Sequence, residues 1–186
     1  MRVVAGTLRS RKIEAVEGMD TRPTADKVKE AVFSRIGPYF QGGEMLDVYS
    51  GSGNIGIEAI SRGMDHAWLN DMSSAAVKTI KRNVVNLKIE EQTKISQLSA
   101  EELLKACAQA GRQFDLIYLD PPYAKQQNEA LINQICALSL MKPDGLIVIE
   151  SRKEDEFAEQ ISDMQLEKMA CYGITKISYY RRETAK

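Results

Sequence analysis

Hydrophobic and polar positions along the middle of the chain alternate between two patterns. Short apolar runs that predict β-strands occur at 45–49, 67–70, 93–98, 114–119 and 146–150. Amphipathic stretches that predict helices lie between these runs, near 54–63, 74–87, 100–110 and 127–141. Strands that alternate with helices through short links are typical of a doubly wound, mostly parallel α/β sheet.

The N-terminal region departs from this alternation. Two β-like runs, 2–6 and 12–16, are joined by a polar and basic link, which predicts a small N-terminal β-hairpin. Thr24 is predicted to cap the helix that follows. We therefore expect a hairpin extension over residues 1–20 and a main domain over residues 21–186.

The C-terminal region departs from the alternation as well. A predicted helix at 154–162 is followed by two β-like runs, 164–171 and 174–181, with no helix between them. A link as short as Tyr172-Gly173 joins strands that pair antiparallel. The whole pattern thus predicts a seven-stranded, mostly parallel sheet with an antiparallel C-terminal strand.

Composition limits the class of protein. The chain has 186 residues, 44% of them hydrophobic and 27% charged, which is ordinary globular usage. No apolar run approaches the ~20 residues of a membrane helix, and arginines occupy the place where an export signal has its apolar stretch. Three widely spaced cysteines predict reduced thiols rather than a disulfide framework or a zinc site. We expect a cytoplasmic protein that binds neither membrane nor metal.

Charge is distributed unevenly along the chain, although the net charge is −1. Residues 1–40 carry eight Lys/Arg against five Asp/Glu, and residues 176–186 carry four against one. The centre, residues 41–175, carries thirteen against twenty. A solvated surface and contact with a polyanion explain the basic ends equally well.

A glycine-rich turn follows the first central strand. Gly51, Gly53 and Gly56 form the pattern G-x-G-x-x-G between a predicted strand and a predicted helix, the setting in which such a turn binds a nucleotide-like cofactor. Asp71 ends the next strand, where a carboxylate accepts hydrogen bonds from ribose hydroxyls. The pattern leaves three readings open: a nicotinamide dinucleotide, S-adenosylmethionine, or a tight turn that binds nothing.

Two single residues bear on that choice. Asp47 lies on the strand just before the turn, where its carboxylate would repel a pyrophosphate but attract the ammonium and sulfonium charges of S-adenosylmethionine. A carboxylate that braces the loop explains Asp47 equally well. The one histidine, His66, lies outside the motifs and leaves a dehydrogenase without a plausible acid or base for hydride transfer.

A second motif ends the fourth predicted strand of the central sheet. The segment Asp120-Pro121-Pro122-Tyr123 falls at the carboxyl end of that strand, the edge at which open α/β sheets bind ligands. Two prolines stiffen the backbone and remove two N–H donors. A carboxylate, rigid carbonyls and an aromatic ring suit a planar group that bears an NH₂, as a nucleobase does. Strand termination alone is the simpler explanation of Pro-Pro, but it leaves the aspartate and tyrosine unexplained.

These two motifs together resemble those of the class I amino-methyltransferases that act on nucleic-acid bases. Further matching segments narrow the resemblance and lie at 2–6, 22–24, 26–33, 56–63, 150–151 and 172–173. With them the chain resembles, over essentially its whole length, the bacterial family that methylates N2 of guanine 966 in 16S ribosomal RNA. The resemblance implies a Rossmann-like class I methyltransferase fold and S-adenosylmethionine as cofactor.

The resemblance and the two motifs give three sets of candidate site residues. The cofactor-binding set is Asp47, Ser50, Gly51, Gly53, Asn54, Gly56, Asp71, Met72, Ser99 and Ala100. The catalytic set is Asp120, Pro121, Pro122 and Tyr123. The RNA-binding set is Arg2, Arg9, Arg11, Lys12, Arg22 and Thr24. The family usually has Asp-Ala after its third strand, so Ser99-Ala100 is a departure that leaves adenine selection to the Ser99 hydroxyl or to Glu101.

The function that the resemblance implies is transfer of a methyl group to the N2 amine of a guanine in 16S ribosomal RNA. The partner would be that RNA or the assembling 30S subunit, and we expect the protein to act as a monomer. A DNA adenine-N6 methyltransferase would use the same motif, but 186 residues leave no room for a separate DNA-reading domain. A non-catalytic RNA-binding assembly factor is the third possibility, against which the intact Asp120–Tyr123 motif argues.

Overall fold

The computed structural model describes residues 1–19, 23–122 and 127–182, and for residues 23 and 24 the backbone alone. By its internal contacts the chain forms two compact units, residues 1–98 and 99–186. Within the described ranges, none of the helices is both long and apolar enough to cross a membrane. The domain boundary expected at residue 20 stays a prediction.

Among its described residues, the first unit has three α-helices, three strands and a short 3-10 helix at Glu90–Gln92. The helices are α1 (Pro23–Ile36), α2 (Asn54–Ser61) and α3 (Ser74–Leu87). The strands are β1 (Glu44–Asp47), β2 (His66–Asn70) and β3 (Thr93–Ser96). β2 lies between β1 and β3 and pairs with both in parallel. The apolar residues of β1 and β2 are buried, as expected of parallel strands that helices cover on both faces.

The described part of the second unit has two helices and five strands. The helices are α4 (Ala100–Gln109) and α5 (Asn128–Ala137). The strands are β4 (Phe114–Leu119), β5 (Met141–Arg152), β6 (Gln160–Ile161), β7 (Met164–Tyr172) and β8 (Thr175–Arg182). Their order is β4-β5-β8-β7-β6, with β4 parallel to β5 and the remaining neighbours antiparallel. The α/β class with parallel strands and an antiparallel C-terminal strand is confirmed.

The helix predicted at 154–162 is wrong, and this segment holds the two-residue strand β6, which the sequence pattern did not predict. Several backbone groups of this segment bond to residues outside it instead of forming a helical ladder. The N–H of Ala158 donates to Glu129 at 2.7 Å, and its carbonyl accepts the Tyr180 hydroxyl at 2.7 Å. The Glu159 carbonyl accepts the N–H of Leu166 at 2.7 Å. Tertiary contacts therefore override the local helical pattern.

The predicted N-terminal hairpin forms only in part. An isolated antiparallel bridge joins Arg2 and Lys12, but neither run becomes a regular strand. Val3 donates to the Arg11 carbonyl across the hairpin at 2.9 Å, whereas the next two backbone donors bond to α2: Val4 and Ala5 donate to Glu58, at 2.9 and 3.0 Å. The next turn donates to Ser61, a residue on the same helix.

Helix α1 begins at Pro23 and includes Thr24 in its first turn, so the backbone of Thr24 is not at the N-cap position predicted for it. Proline is favoured at the first position of a helix, since the N–H that it lacks has no partner within the helix there.

A buried carboxylate holds the N-terminal segment against the two neighbouring helices. Glu58 of α2 is fully buried between Lys29 of α1, at 3.0 Å, and Arg62, at 2.9 Å. The Lys29 ammonium group, itself buried, also donates to the Arg2 carbonyl at 2.8 Å and to Asn54 at 2.7 Å. Two cations and two backbone N–H groups therefore compensate one buried negative charge.

We predict that Glu58→Gln lowers the free energy of unfolding by about 3–5 kcal/mol, because it leaves two buried cations without their shared counter-charge. Urea unfolding followed by circular dichroism measures the change. The control is Glu91→Gln, which neutralises an exposed carboxylate and should cost less than ~0.5 kcal/mol. Equal stability of the two variants would contradict the role of Glu58.

Candidate functional site

The glycine-rich turn is a compact loop between β1 and α2. Gly53 occupies the N-cap of α2 in a left-handed conformation, with φ of 83°, and its N–H donates to the Ser50 carbonyl at 2.7 Å. A Cβ at Gly56 would lie 2.1 Å from a Leu69 methyl group of β2, so any side chain at this position would force the buried Leu69 to move. A Cβ at Gly51 would meet no atom within 4 Å, so the loop backbone is open on that side.

Asp71 braces this loop at the end of β2. One carboxylate oxygen accepts the N–H of Gly51 at 2.9 Å, and the other accepts the N–H of Ser73 at 2.9 Å. Each carboxylate oxygen has room for a second hydrogen bond, so Asp71 retains acceptor capacity for ligand hydroxyls. The neighbouring Met72 side chain is apolar and 66% exposed. An open backbone, a carboxylate and an exposed thioether fit the ribose and adenine of S-adenosylmethionine.

Asn70 ties together the strand ends beside the loop, a role that the sequence prediction missed. Its buried amide N–H₂ donates to the carbonyls of Val48 and Leu98, at 3.1 and 3.0 Å. Its amide oxygen accepts the Ser96 hydroxyl at 2.7 Å. The sequence feature that could have indicated this role is an asparagine at the carboxyl end of an apolar run, directly before Asp71.

Of the other residues predicted to bind cofactor in this unit, Asp47 and Ser50 are buried. Ser50 donates to the Asp47 carbonyl at 2.9 Å and accepts the N–H of Asn70 at 3.0 Å. Asn54 accepts a hydrogen bond from Lys29 at 2.7 Å. The structure thus brings these side chains together around one loop, while their contact with a cofactor stays a prediction.

Asn83 of α3 connects the N-terminal segment to the glycine-rich loop, and sequence reasoning missed it as well. Its amide N–H₂ donates to the carbonyls of Ser52, at 2.9 Å, and Glu14, at 3.0 Å. Its amide oxygen accepts the N–H of Glu14 at 2.8 Å. A polar residue at an inward position of an amphipathic helix was the available signal.

The basic residues predicted to contact RNA lie on the surface of this N-terminal segment. Arg2, Arg9, Arg11 and Lys12 are exposed, and Arg11 donates to the Asn86 carbonyl of α3 at 3.0 Å. Arg22 lies outside the described residues, as does the side chain of Thr24.

Ser99 has a structural role at the start of α4. Its hydroxyl donates to the Glu102 carboxylate at 2.9 Å and accepts the Glu102 N–H at 3.2 Å, which completes a capping box. The hydrogen bond from the Ser99 backbone N–H holds the pKa of Glu102 below its ordinary value. Contact of Ser99 or the buried Ala100 with adenine stays a prediction.

The motif Asp120-Pro121-Pro122-Tyr123 (the Asp120 motif) begins directly after β4 in the second unit. Asp120 is half-buried, Pro121 is buried and Pro122 is exposed, and Tyr123 lies outside the described residues. Two positions earlier, the buried Tyr118 donates its hydroxyl to Glu150 of β5 at 2.9 Å. Because β4 and β5 are parallel, Glu150 and Asp120 lie at the same edge of the sheet.

Glu150 is a half-buried carboxyl group that the sequence prediction did not place in the site. Burial raises the pKa of Glu150, and the hydrogen bond from Tyr118 partly offsets that rise. The pair makes the strand end that carries Asp120 rigid, since breaking it would leave a buried polar group without its partner. Among the described residues, no cluster of three or more His, Cys, Asp or Glu could hold a metal ion.

Comparisons with known proteins agree over nearly the whole chain. One relative is YlbH of Bacillus subtilis, whose name assigns it provisionally to the rRNA methyltransferases. It is 40% identical to this protein over 98% of this chain and 99% of the YlbH chain. Ribosomal RNA small subunit methyltransferase D of Haemophilus influenzae is 34% identical over 83% of this chain and 80% of its own.

Solved structures agree with the fold. The structure of yhhF from Escherichia coli, titled provisionally as a methyltransferase, is 29% identical, with a TM-score of 0.83 over 100% of this chain and 99% of its own. The model of the family described as Conserved hypothetical protein 95 matches residues 1–181. The chain therefore belongs to the Conserved hypothetical protein 95 family.

Proposed function

We propose that this protein transfers a methyl group from S-adenosylmethionine to the exocyclic N2 amine of a guanine in 16S ribosomal RNA. The observation that carries the proposal is the Asp120-Pro121-Pro122-Tyr123 motif, which begins at the carboxyl end of β4 in a chain that belongs to this family. The relatives named as small-subunit rRNA methyltransferases support the reaction and the class of RNA.

The glycine-rich loop is the part of the chain that would hold the cofactor. Asp71 would accept hydrogen bonds from the ribose hydroxyls, and the open backbone at Gly51 would allow close approach. Met72 would cover the adenine, and the Asp47 carboxylate would attract the positive charge of the methionine part. When bound, S-adenosylmethionine supplies an electrophilic methyl group.

The Asp120 motif would bind the target base. The exocyclic amine of guanine is a weak nucleophile because its lone pair is delocalised into the ring. Acceptance of its two N–H groups by Asp120 and the Pro121 carbonyl would draw the lone pair back onto nitrogen, and Tyr123 would stack on the base. No strong general base is needed, since the proton leaves after methyl transfer; positioning supplies most of the rate.

The substrate form and the cellular setting follow from the same proposal. The RNA would be recognised free or in the assembling 30S subunit, by a monomer in the cytoplasm where ribosomes assemble. The exposed cations of the N-terminal segment would contact its phosphates.

Labelled S-adenosylmethionine distinguishes the possible functions. The protein is incubated separately with naked 16S rRNA, 30S subunits and duplex DNA, and the products are digested to nucleosides. We expect N2-methylguanosine from one of the rRNA samples. N6-methyladenine from DNA would support a DNA methyltransferase instead, and RNA binding without label would support an assembly factor.

We predict that Asp71→Ala weakens S-adenosylmethionine binding by about 1–3 kcal/mol, because a hydrogen bond to a charged group is lost. Isothermal titration calorimetry measures the affinity. The control is Ser73→Ala, which removes the α3 N-cap at a neighbouring residue but leaves the carboxylate and should leave affinity unchanged. Unchanged affinity in Asp71→Ala would remove this residue from the cofactor site.

We predict that Asp120→Ala lowers kcat by about 10²–10³ and leaves cofactor affinity near the wild-type value, because one preorganised acceptor of the target amine is lost. Steady-state methylation of rRNA and calorimetry measure the two quantities. Asp115→Ala is the matched control, since it removes a carboxylate of β4 that pairs with Lys142. Full activity of Asp120→Ala would rule out the proposed mechanism.

Tyr123 variants test how the base is held. We expect Tyr123→Phe to keep near-normal activity because the stacking face remains, whereas Tyr123→Ala should raise the RNA KM and lower kcat together. The target base must leave its stack to enter the site, so a loop guanine should react and the same guanine in a duplex should not. Equal methylation of both RNAs would contradict this mode of binding.

A further inference from the structure

Helix α3 carries charge of a single sign on its exposed side. Lys78, Lys81 and Arg82 lie on the helix and Lys88 directly follows it, and all four are exposed. No Asp or Glu occurs between residues 72 and 89. The chain as a whole has more acidic than basic residues, so this stretch is a local excess of positive charge.

Folding does not require this arrangement of charge. The helix is held by an apolar face whose buried residues include Ala76, Val77, Ile80, Val84 and Leu87. The basic residues are exposed, and Lys78 lies three and four positions before Lys81 and Arg82, a spacing at which like charges repel one another. Each such like-charge pair costs about 0.2–0.5 kcal/mol of helix stability. Acidic residues at some of these positions would remove that cost.

The exposed cations of α3 adjoin those of the N-terminal segment. Arg11 donates to the Asn86 carbonyl of α3 at 3.0 Å, and Arg82 pairs with Glu14 at 3.1 Å. Asn83 holds the Glu14 backbone from the same helix. The segment therefore lies along α3, and residues 1–13, with four Lys/Arg and no acid, contribute to the same surface.

We propose that the RNA-binding surface continues from the N-terminal segment along α3, where Lys78, Lys81 and Lys88 contact phosphates. This inference rests on the proposed function and adds residues to it that neither motif includes. Charge complementarity favours a phosphate backbone as the occupant. Lysines on a helix surface act as mobile point charges, so these contacts hold and orient the RNA without reading its sequence.

The position of α3 relates these phosphate contacts to the proposed cofactor site. The helix begins three residues after Asp71, and Asn83 donates to the Ser52 carbonyl of the glycine-rich loop. Phosphates bound along α3 would therefore be fixed relative to the same loop that we propose holds the cofactor.

The test is the triple variant Lys78→Gln, Lys81→Gln, Lys88→Gln, with Arg82 kept because it pairs with Glu14. Binding of transcribed 16S rRNA is measured over a series of KCl concentrations. We expect the slope of log Kobs against log[KCl] to become shallower by about two, since each lost phosphate contact contributes ~0.7–0.9. The RNA KM should rise about tenfold or more, while kcat at saturating RNA and S-adenosylmethionine affinity should not change.

The matched control is Lys105→Gln, Lys153→Gln, Lys168→Gln, which removes the same charge from exposed positions of the second unit. This control should bind RNA with the wild-type salt dependence. Thermal unfolding checks both variants, and the single variant Lys81→Gln replaces the α3 triple if that triple is unstable.

Three results would overturn the inference. A wild-type slope in the α3 triple would exclude these lysines from the RNA surface. Equal losses in both triples would show that net charge alone matters. A wild-type protein that neither binds nor methylates rRNA would overturn the proposed function and this surface with it, and that failure is visible before any variant is made.

Discussion

The first unit depends on one buried carboxylate. Glu58 would be costly to bury alone, but it lies between Lys29 and Arg62 and accepts the N–H groups of Val4 and Ala5. These contacts join α1, α2 and the N-terminal segment at one point. The segment that carries the exposed arginines is thereby held in a defined place, although it forms no regular strand.

The glycine-rich loop is held mainly by hydrogen bonds between side chains and backbone. Asp71 fixes the N–H of Gly51, and Asn83 fixes the carbonyl of Ser52. Asn70 fixes the strand ends beneath it. A loop braced in this way is already shaped for a ligand, so that less ordering is required when the ligand binds. In the second unit, the Tyr118–Glu150 pair stiffens the strand end that carries Asp120.

Much of this arrangement could be predicted from local patterns. The apolar runs identified the strands from β1 to β5, and the helices between them, because period and burial go together in a layered α/β fold. The glycine spacing identified the loop, and the 2.1 Å approach at Gly56 is the close packing that its third glycine requires. Family membership likewise followed from motifs that are contiguous in the sequence.

The sequence by itself therefore determined the α/β class, the glycine-rich loop and the position of the Asp120 motif, since each depends on residues close together in the chain. The tertiary structure alone decided that residues 154–162 are not a helix and that Val4 and Ala5 of the first N-terminal run bond to α2 instead of extending the hairpin. It also decided the partners of Glu58, Asn70 and Asn83. Those outcomes depend on which distant groups pair with a buried charge or complete a backbone hydrogen bond. The residues nearby in the sequence do not determine which groups those are.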